Sequence, residues 1–479
     1  MFARIKPLYA YWGIPLLALW LTIVLVAGLV RLDPYGIEEP AAHALLLAWS
    51  VSERVISTAL VMGLPDLRAL FFTFVGLYWP GSLLAAKVFT LLVTAAAAAM
   101  LYRWCAVQAG REAALIATGL LLIAPATLLQ ADSLGTGPYL LLAFALGRWL
   151  DAAYRRTQRA LGGWYFLQLL LILFTVSLHP AGLAYPLALL WEWRKNPLDA
   201  RQQRHVYIGV GISVTFILLL RMGWHALDWL RNPVPVLAQG VIGADATGET
   251  LPWAAGLLCA ALLLYLLWRE RRALSANFMH RLLLGGILLG LPAADGGWAL
   301  VALAALLYVG IPRLIAFNES FGGQGFLRQR GLVMAVLFLA ALLFMQVNKA
   351  HHYAVAQNLL PATDKLIMTL AVALEDVPAE QAVVAMSQWP GKTTLALRRP
   401  ALPLPPDYPD GATLLQNITG VTHLIFDPFA PANKSLADNL AGISGRTETL
   451  ALEEGGAILR IRSAEEAAAL PPPASPPGR

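Results

Sequence analysis

Three acidic residues just after the first apolar stretch carry the clearest chemical signal in the sequence. Asp33, Glu38 and Glu39 lie within residues 33–40, which read DPYGIEEP. A carboxylate at the mouth of a cleft can take the proton of a hydroxyl or amine while that group attacks a sugar carbon. The same acids could instead cap the start of a helix at Pro40. The spacing leaves both interpretations open. We predict Glu38 as the base, with Glu39 or Asp33 as alternatives.

Several basic side chains form a second candidate set, for contacts to a phosphate. Like the three acids, they are expected near the outer membrane surface in the orientation derived below. Cations hold the negative charge of a phosphate through charge-assisted hydrogen bonds. His179 is the most specific of them. It precedes Pro180 at a break between two short apolar runs, where unwound backbone is tolerated mainly if it lines a cavity. Each cation could also be an interface anchor whose charged end reaches the lipid headgroups. The candidates are Arg31, Arg54, Arg68, Lys87, His179, Arg221, His225 and Arg231.

The composition places these residues in a membrane protein. Of the 479 residues, 58% are hydrophobic and 13% are charged, and the mean hydropathy is +0.62. Soluble domains carry about 25% charged residues, so this chain cannot cover itself with a water-compatible surface. Apolar runs that can cross a bilayer, alone or in pairs, predict about eleven transmembrane helices. The runs are 11–30, 82–102, 112–130, 135–150, 163–178, 181–193, 206–221, 251–268, 282–293, 297–314 and 331–347.

Lysine and arginine positions set the predicted orientation. If Arg4 and Lys6 are cytoplasmic, the main basic clusters of the later loops fall on the cytoplasmic side as well. This asymmetry follows the positive-inside rule, so the net charge of +6 reports topology rather than a nucleic-acid partner. We predict a cytoplasmic N-terminus and, with an odd number of spans, a C-terminus on the outer side. The clusters are 103–111, 148–159, 194–204, 269–281 and 313–330.

The chain is predicted to contain a transmembrane domain over 1–350, an extracytoplasmic α/β domain over 351–464 and a disordered tail over 465–479. The first outer loop, 31–80, is too long to be a mere connector. Its apolar pieces Ala41–Leu60 and Leu67–Tyr78 are interrupted by charges, which predicts amphipathic helices lying along the membrane interface.

The C-terminal region changes to a soluble pattern in which helices and strands alternate. Helices are predicted at Leu360–Leu374, Thr413–Ile418 and Ser435–Leu440. Strands are predicted at Gln381–Met386 and Thr422–Phe426, followed by a hairpin of Thr447–Leu452 and Ala457–Ile461. The fold class is therefore a polytopic α-helical membrane protein with a small C-terminal α/β domain.

Several motifs resemble those of the GT-C superfamily of polyprenyl-phosphate-sugar glycosyltransferases, in the branch of the protein O-mannosyltransferases and lipid A aminoarabinose transferases. That branch opens its first outer loop with an acidic pair, typically Asp-Glu, where this chain has Glu38-Glu39. Residues 64–72 (LPDLRALFF) and 81–89 (GSLLAAKVF) are similar to the family's interfacial segment and the entry to its second span. Residues 179–182 stand at the family's Lys-Gly break, and 420–427 match its outer C-terminal domain.

The resemblance implies an inverting glycosyltransferase of the bacterial inner membrane. It would take a sugar from a polyprenyl-phosphate donor at the periplasmic face and pass it to a lipid, glycan or protein acceptor. The expected partners are this donor, the acceptor and membrane lipids, without nucleic acid. No cofactor is expected, because no His/Cys/Asp cluster has ligand spacing, although a divalent metal stays open. The predicted catalytic set is Glu38, Glu39 and Asp33, and the predicted contacts to the donor phosphate are His179, Arg54, Lys87 and Arg221.

Two other functions stay open on the sequence. A GT-C-like chain without catalysis could be a subunit of an envelope complex, since Glu38 replaces the usual Asp and His179 replaces a lysine. A transporter, flippase or polysaccharide polymerase is the third hypothesis. Against it, the predicted spans carry few ionisable residues and no inverted repeat is evident.

Overall fold

The computed structural model describes most of the chain, and the described segments belong to two compact units. The first unit comprises the described parts of Asp66–Phe71 and Ser82–Val355, and the second those of Arg31–Pro65, Phe72–Gly81 and Ala356–Arg479. The described segments are 35–53, 67–156, 162–221, 250–270, 277–313, 362–375, 383–453 and 456–463, with a few single residues beside them.

Some predicted features lie outside the described residues. These are Asp33, Arg31, Arg54, His225, Arg231, the apolar runs 11–30 and 331–347, most of the tail 465–479, and the side chain of Arg221. Their predicted roles therefore stay predictions, as do the domain bounds 1–350, 351–464 and 465–479.

Helices make up the first unit. The first helix, α1 (Glu39–Glu53), belongs to the second unit, whereas α2 (Arg68–Tyr78) begins in the first unit and ends in the second. In chain order the helices before the C-terminal domain are α1 (Glu39–Glu53), α2 (Arg68–Tyr78), α3 (Leu83–Ala109), α4 (Arg111–Ile123), α5 (Pro125–Asp132), α6 (Gly137–Arg156), α7 (Gly163–Leu178), α8 (Ala184–Lys195), α9 (Ala200–Arg221), α10 (Thr250–Arg269), α11 (Phe278–Gly290) and α12 (Gly296–Ala305).

The apolar runs predicted between residues 82 and 314 all overlap these helices. Within the described residues, Leu83–Ala109 and Gly296–Arg313 are each long and apolar enough to cross a membrane, judged by length and composition. A third crossing is present if α4 and α5 form one span, since Ala113–Leu122 and Pro125–Asp132 are apolar together but meet at a bend of 54°. The total of about eleven spans stays a prediction.

Prolines and glycines set the breaks between the helices. α4 ends just before Pro125, whose ring and missing N–H would disrupt a continuing helix but suit the first turn of α5. His179 is extended (φ −163°, ψ 149°) and precedes a 3₁₀ turn at Pro180–Leu183. Gly182 lets this turn approach α7, because a Cβ atom at that position would overlap the backbone carbonyl of Thr175.

The C-terminal part of the second unit is an α/β domain. Its elements are α13 (Ala362–Ala373), β1 (Ala385–Ser387), α14 (Pro390–Leu397), β2 (Ala401–Pro403), α15 (Gly411–Asn417), β3 (His423–Phe426), α16 (Lys434–Gly442), β4 (Thr447–Glu453) and β5 (Gly456–Ile461).

The five strands form one sheet in the order β2-β1-β3-β5-β4. β1 pairs in parallel with β2 and with β3, whereas β5 pairs antiparallel with β3 and β4. The chain leaves β1 through α14 to β2 on one side and returns through α15 to β3 on the other side. The direction of winding therefore reverses between β1 and β3, which is a topological switch point at their carboxyl ends.

Helices cover both faces of this sheet. Leu424 and Phe426 of β3 pack with α15 and α16, whereas Ile425 faces Leu366 and Leu370 of α13. Successive side chains of a strand point to opposite faces, so the alternation places β3 between two apolar layers. A strand buried on both faces reads as a continuous apolar run, and this explains why β3 is recognisable in the sequence.

The sequence predicted α13, α15, α16 and the final hairpin to within two residues at each end. It missed α14 and β2. α14 begins with Pro390 and Gly391 and contains two β-branched threonines, so its helix propensity is low. β2 has three residues, one of them proline, which is too short for a period of two to be visible.

His423 makes the stability of this domain depend on pH. Burial, and to a lesser extent the positive charge of Arg460 opposite it on β5, lower the pKa of His423 below its ordinary value. The unfolded chain therefore takes up a proton at a pH where the folded domain still resists it. The contribution of neutral His423 to the free energy of unfolding is therefore fully present above the ordinary histidine pKa of about 6.5. It decreases as the pH falls below that value.

We expect the domain of the wild-type protein to open more easily at pH 5.5 than at pH 7.5, and a His423→Gln variant to lose most of this difference. The measurement is hydrogen exchange of peptides from 383–463 in the full-length protein, corrected for intrinsic exchange rates. Equal pH dependence in the wild type and the variant would contradict this assignment.

Candidate active site

A buried ion pair joins α3 to the turn between α5 and α6. Lys87 Nζ lies 2.7 Å from Asp132 Oδ1, and the Lys87 side chain is fully buried. α3 begins where Ser82 Oγ accepts a hydrogen bond from the backbone N–H of Ala85, and Lys87 follows in the next turn. A charge at this depth is stable only when it is paired, because burial removes its hydration.

Residues 132–137, named here the 132–137 turn, receive a second buried cation. Arg68, at the start of α2, is fully buried and donates through Nη1 to the backbone carbonyl of Leu134. Leu134 has a left-handed backbone (φ 57°), which a leucine rarely adopts and which needs support from its surroundings. The Gln130 side chain also braces the turn by accepting from the N–H of Gly137 at 3.1 Å.

The 132–137 turn contains buried hydroxyls that no described residue satisfies. Ser133 Oγ and Thr136 Oγ1 have no hydrogen-bond partner within the part of the chain that the structure describes. Buried polar atoms are normally paired, so these two hydroxyls are able to form hydrogen bonds with water or with a polar group of a ligand. The turn therefore combines two cations, one carboxylate and two available hydroxyls.

His179 lies in a second turn of the first unit. Its Nδ1 accepts from the backbone N–H of Ala181 at 3.0 Å, so Nε2 carries the proton and donates to the carbonyl of Ala293 at 3.0 Å. Asp295 Oδ1 lies 3.4 Å from the same Nε2. Both ring nitrogens are engaged, so a phosphate could contact His179 only by replacing one of these partners.

The turn that holds Asp295 packs against the 132–137 turn. Asp295 caps α12 by accepting from the N–H of Trp298 at 2.8 Å. Gly297 lies against Thr136, where a Cβ atom would overlap the Thr136 hydroxyl. Lys87 and His179, which the sequence predicted as phosphate contacts, are thus linked through two turns that touch.

The second unit contains the acidic pair. Gly36 (φ 81°) makes the turn that leads into α1, and the backbone carbonyl of Glu38 accepts the first helical hydrogen bond from Ala42 at 2.9 Å. Glu38 thus stands at the N-cap position of α1 and is partly exposed to solvent. Glu38 and Glu39 thus stand at the N-terminal end of α1.

Glu39 has a different environment from Glu38. Its Oε1 accepts from the N–H of Gly391 at 2.6 Å, and its Oε2 accepts from the N–H of Lys392 at 3.0 Å. His43, one turn later on α1, places Nε2 2.8 Å from the same Oε1. Both carboxylate oxygens are therefore engaged by groups of the second unit.

The sequence did not lead us to select Arg68 as a site residue. It also did not predict that Asp132 pairs with Lys87 or that Asp295 lies beside His179. Arg68 was part of the wider cation set, but its burial cannot be read from the sequence. Asp132 and Asp295 are acids at the ends of apolar runs, and acids at such positions were a usable signal. Among the described residues, no group of three or more His, Cys, Asp or Glu side chains could hold a metal ion.

The chain is similar in fold to several solved structures. ArnT from Cupriavidus metallidurans bound to undecaprenyl phosphate matches with a TM-score of 0.56 and 13% identity, over 94% of this chain and 98% of that chain. AglB, the oligosaccharyltransferase of Archaeoglobus fulgidus in complex with an inhibitory peptide and a dolichol-phosphate, matches with a TM-score of 0.56 and 11% identity, over 97% and 75%. The chain has the GT-C fold.

This fold is the one that the resemblance in the sequence implied. The neighbours are polytopic membrane proteins with a C-terminal soluble domain, and the described part of this chain likewise has apolar helices followed by a C-terminal α/β domain. ArnT in the apo state matches as well, with a TM-score of 0.51 and 14% identity, over 96% of this chain and 98% of that one. No protein-family model and no curated protein sequence matches the chain.

Breaking the buried pair of Lys87 and Asp132 should strongly destabilise the first unit. We expect Asp132→Leu to lower the free energy of unfolding by about 3–5 kcal/mol, because it leaves Lys87 buried without its counter-charge. The double variant Lys87→Met, Asp132→Leu should recover much of this loss, since two apolar side chains can replace a buried pair.

The measurement is the thermal unfolding midpoint of the detergent-solubilised protein. Glu448→Gln serves as a control, because it removes exposed pairs with Arg460 and Arg462 at 3.7 and 3.4 Å and should change little. A double variant no more stable than Asp132→Leu alone would show that the two side chains are not coupled.

Proposed function

We propose that the chain is an inverting glycosyltransferase that moves a sugar from a polyprenyl-phosphate donor to an acceptor at the periplasmic face of the bacterial inner membrane. The observation that carries this proposal is the GT-C fold, shared over 94% of this chain and 98% of an ArnT that is bound to undecaprenyl phosphate. AglB, with a dolichol-phosphate, adds a second neighbour that binds a lipid phosphate.

The 132–137 turn supports a donor phosphate site. Lys87 and Arg68 bring two positive charges to this turn, where Lys87 pairs with Asp132 and Arg68 donates to the carbonyl of Leu134. A phosphate that approaches would share the cations with Asp132 and the carbonyl of Leu134, and it could use the hydroxyls of Ser133 and Thr136. Positive charge held in a water-poor site stabilises the phosphate that leaves when the sugar is transferred.

Glu38 is the proposed base. It takes the proton of the acceptor hydroxyl or amine while that oxygen or nitrogen forms a bond to the anomeric carbon. On the opposite side of this carbon, the bond to the phosphate oxygen breaks and the polyprenyl phosphate leaves with the electron pair. Attack opposite the leaving group inverts the configuration. Glu38 is preferred to Glu39, whose two oxygens already accept hydrogen bonds from the peptide backbone.

The orientation and the remaining site residues belong to the same proposal. The N-terminus is cytoplasmic, about eleven spans follow, and the C-terminal α/β domain is periplasmic. Arg54, Arg221 and Asp33 keep their predicted roles at the outer face. No cofactor is assigned to the step, and a divalent metal stays open. His179 acts on the donor through the turn that it braces together with Asp295.

Replacing Glu38 tests the proposal. Purified protein in liposomes receives a panel of undecaprenyl-phosphate sugars together with a membrane extract as acceptor, and the release of undecaprenyl phosphate is followed. We expect release by the wild type, and a rate about 10²–10⁴-fold lower for Glu38→Gln, because an amide cannot accept the proton. Glu53→Gln, at the other end of α1 and about 21 Å away along the helix axis, is the control and should keep the wild-type rate.

Full release by Glu38→Gln would contradict the assignment of the base. Transfer of intact labelled donor across the liposome membrane without release would instead favour a transporter. A protein that neither releases nor transports, but co-purifies with a partner protein, would favour a binding subunit.

A further inference from the structure

The first turn of α14 has an anchor from a distant part of the chain. α14 starts at Pro390, and Trp389 before it gives no side-chain cap among the described residues. The N–H groups of Gly391 and Lys392 therefore have no partner within their own helix. The carboxylate of Glu39, more than 350 residues earlier, accepts from both of them at 2.6 and 3.0 Å. A negative charge at a helix N-terminus is stabilised by these N–H groups and by the helix dipole.

The surroundings of Glu39 fit this contact on both sides. A Cβ atom at Gly391 would lie 2.9 Å from Glu39 Oε1 and 3.2 Å from both Ala42 Cβ and His43 Cδ2. Glycine is thus the residue that lets α1 approach so closely. Lys392 Nζ is held elsewhere, at 2.9 and 3.0 Å from the two oxygens of the buried Asp364 on α13.

The position of the contact in the sheet adds a second argument. α14 follows directly from β1, so its N-terminus lies at the carboxyl end of β1, beside the switch point between β1 and β3. In open α/β sheets this crevice is where a ligand binds. Here a side chain of the first outer loop occupies it. The loop after β3 is fixed at the same edge, because Gln388 Oε1 accepts from the N–H of Asp427 at 2.9 Å and from Asn433 Nδ2 at 3.0 Å.

We infer that Glu39 is a positioning residue through which the C-terminal α/β domain sets the place of Glu38. Glu39 fixes the first turn of α1, and Glu38 is the preceding residue, so a shift of α14 moves the proposed base with it. The inference rests on the proposed function, because it assigns the base to Glu38. It makes transfer depend on a domain whose residues take no part in the chemical step.

The test combines a structural and a kinetic readout on the full-length protein. Hydrogen exchange at Gly391 and Lys392 reports the contact, and release of undecaprenyl phosphate from the donor panel reports transfer. Glu39→Ala and Gly391→Ala should speed exchange at these two amides and lower kcat about tenfold or more, because a displaced catalytic group loses its alignment. KM for the donor should stay within about twofold, since the donor-binding residues are unchanged.

A third variant separates positioning from proton transfer. Glu39→Gln keeps one acceptor oxygen, so it should retain part of the rate, and the rising limb of its pH profile should match that of the wild type.

Two control variants make the same types of substitution elsewhere in the domain. Asp410→Ala removes another helix cap of the same domain, in which Asp410 accepts from the N–H of Thr413 at 2.7 Å, and Gly442→Ala adds a Cβ where nothing lies within 4 Å. Both should leave exchange at 391–392 and kcat as in the wild type.

The outcomes are distinct. Unchanged exchange at Gly391 and Lys392 in Glu39→Ala, or faster exchange with an unchanged kcat, would overturn the inference. A Glu39→Gln variant that lost the rising limb of the pH profile would make Glu39 the base and would also overturn it. If the wild type released nothing from any donor, the proposed function would fail, and the exchange result would still decide whether Glu39 holds α14.

Discussion

A charge buried where helices break must find its partner within the protein, because hydrocarbon offers none. Lys87 meets this requirement with Asp132, and Arg68 meets it with the carbonyl of Leu134. Both partners belong to the 132–137 turn, so two buried cations help to hold this turn in place. Thr136 also contacts Gly297, next to the turn that holds Asp295, and Asp295 lies beside His179. The pairs of Lys87 with Asp132, Arg68 with Leu134 and His179 with Asp295 thus lie in neighbouring turns of the first unit.

The second unit solves a related problem with a carboxylate. Backbone N–H groups at the start of a helix need acceptors, and α14 obtains them from Glu39. The two acids at residues 38 and 39 therefore have different environments. One acid holds two segments of the unit together, and its neighbour stands at the partly exposed N-cap of α1. Under the proposed function, Glu38 is the base and Glu39 has a structural role.

The sequence was informative where a pattern is local. Apolar runs located the helices between residues 82 and 314, and the run at 423–426 located β3, because lipid contact and two-sided burial each leave a continuous signal. The acidic pair was visible as charges beside an apolar stretch, and Lys87 was visible as a charge within one. The partners of these charges were not visible, since the contact of Glu39 with α14 joins residues more than 350 positions apart. A single sequence contains no signal for such a pairing, and α14 itself is hidden by its low helix propensity.

Native mass spectrometry of the gently solubilised protein tests the central claim, a site for a lipid-linked phosphate, most directly. The protein is offered an equimolar mixture of undecaprenyl phosphate, undecaprenol and phosphatidylglycerol. The alcohol has the same chain without the phosphate, and the phospholipid has a phosphate without the polyprenyl chain. We expect the protein to retain undecaprenyl phosphate in preference to both. Equal retention of all three, or retention of the phospholipid alone, would contradict it.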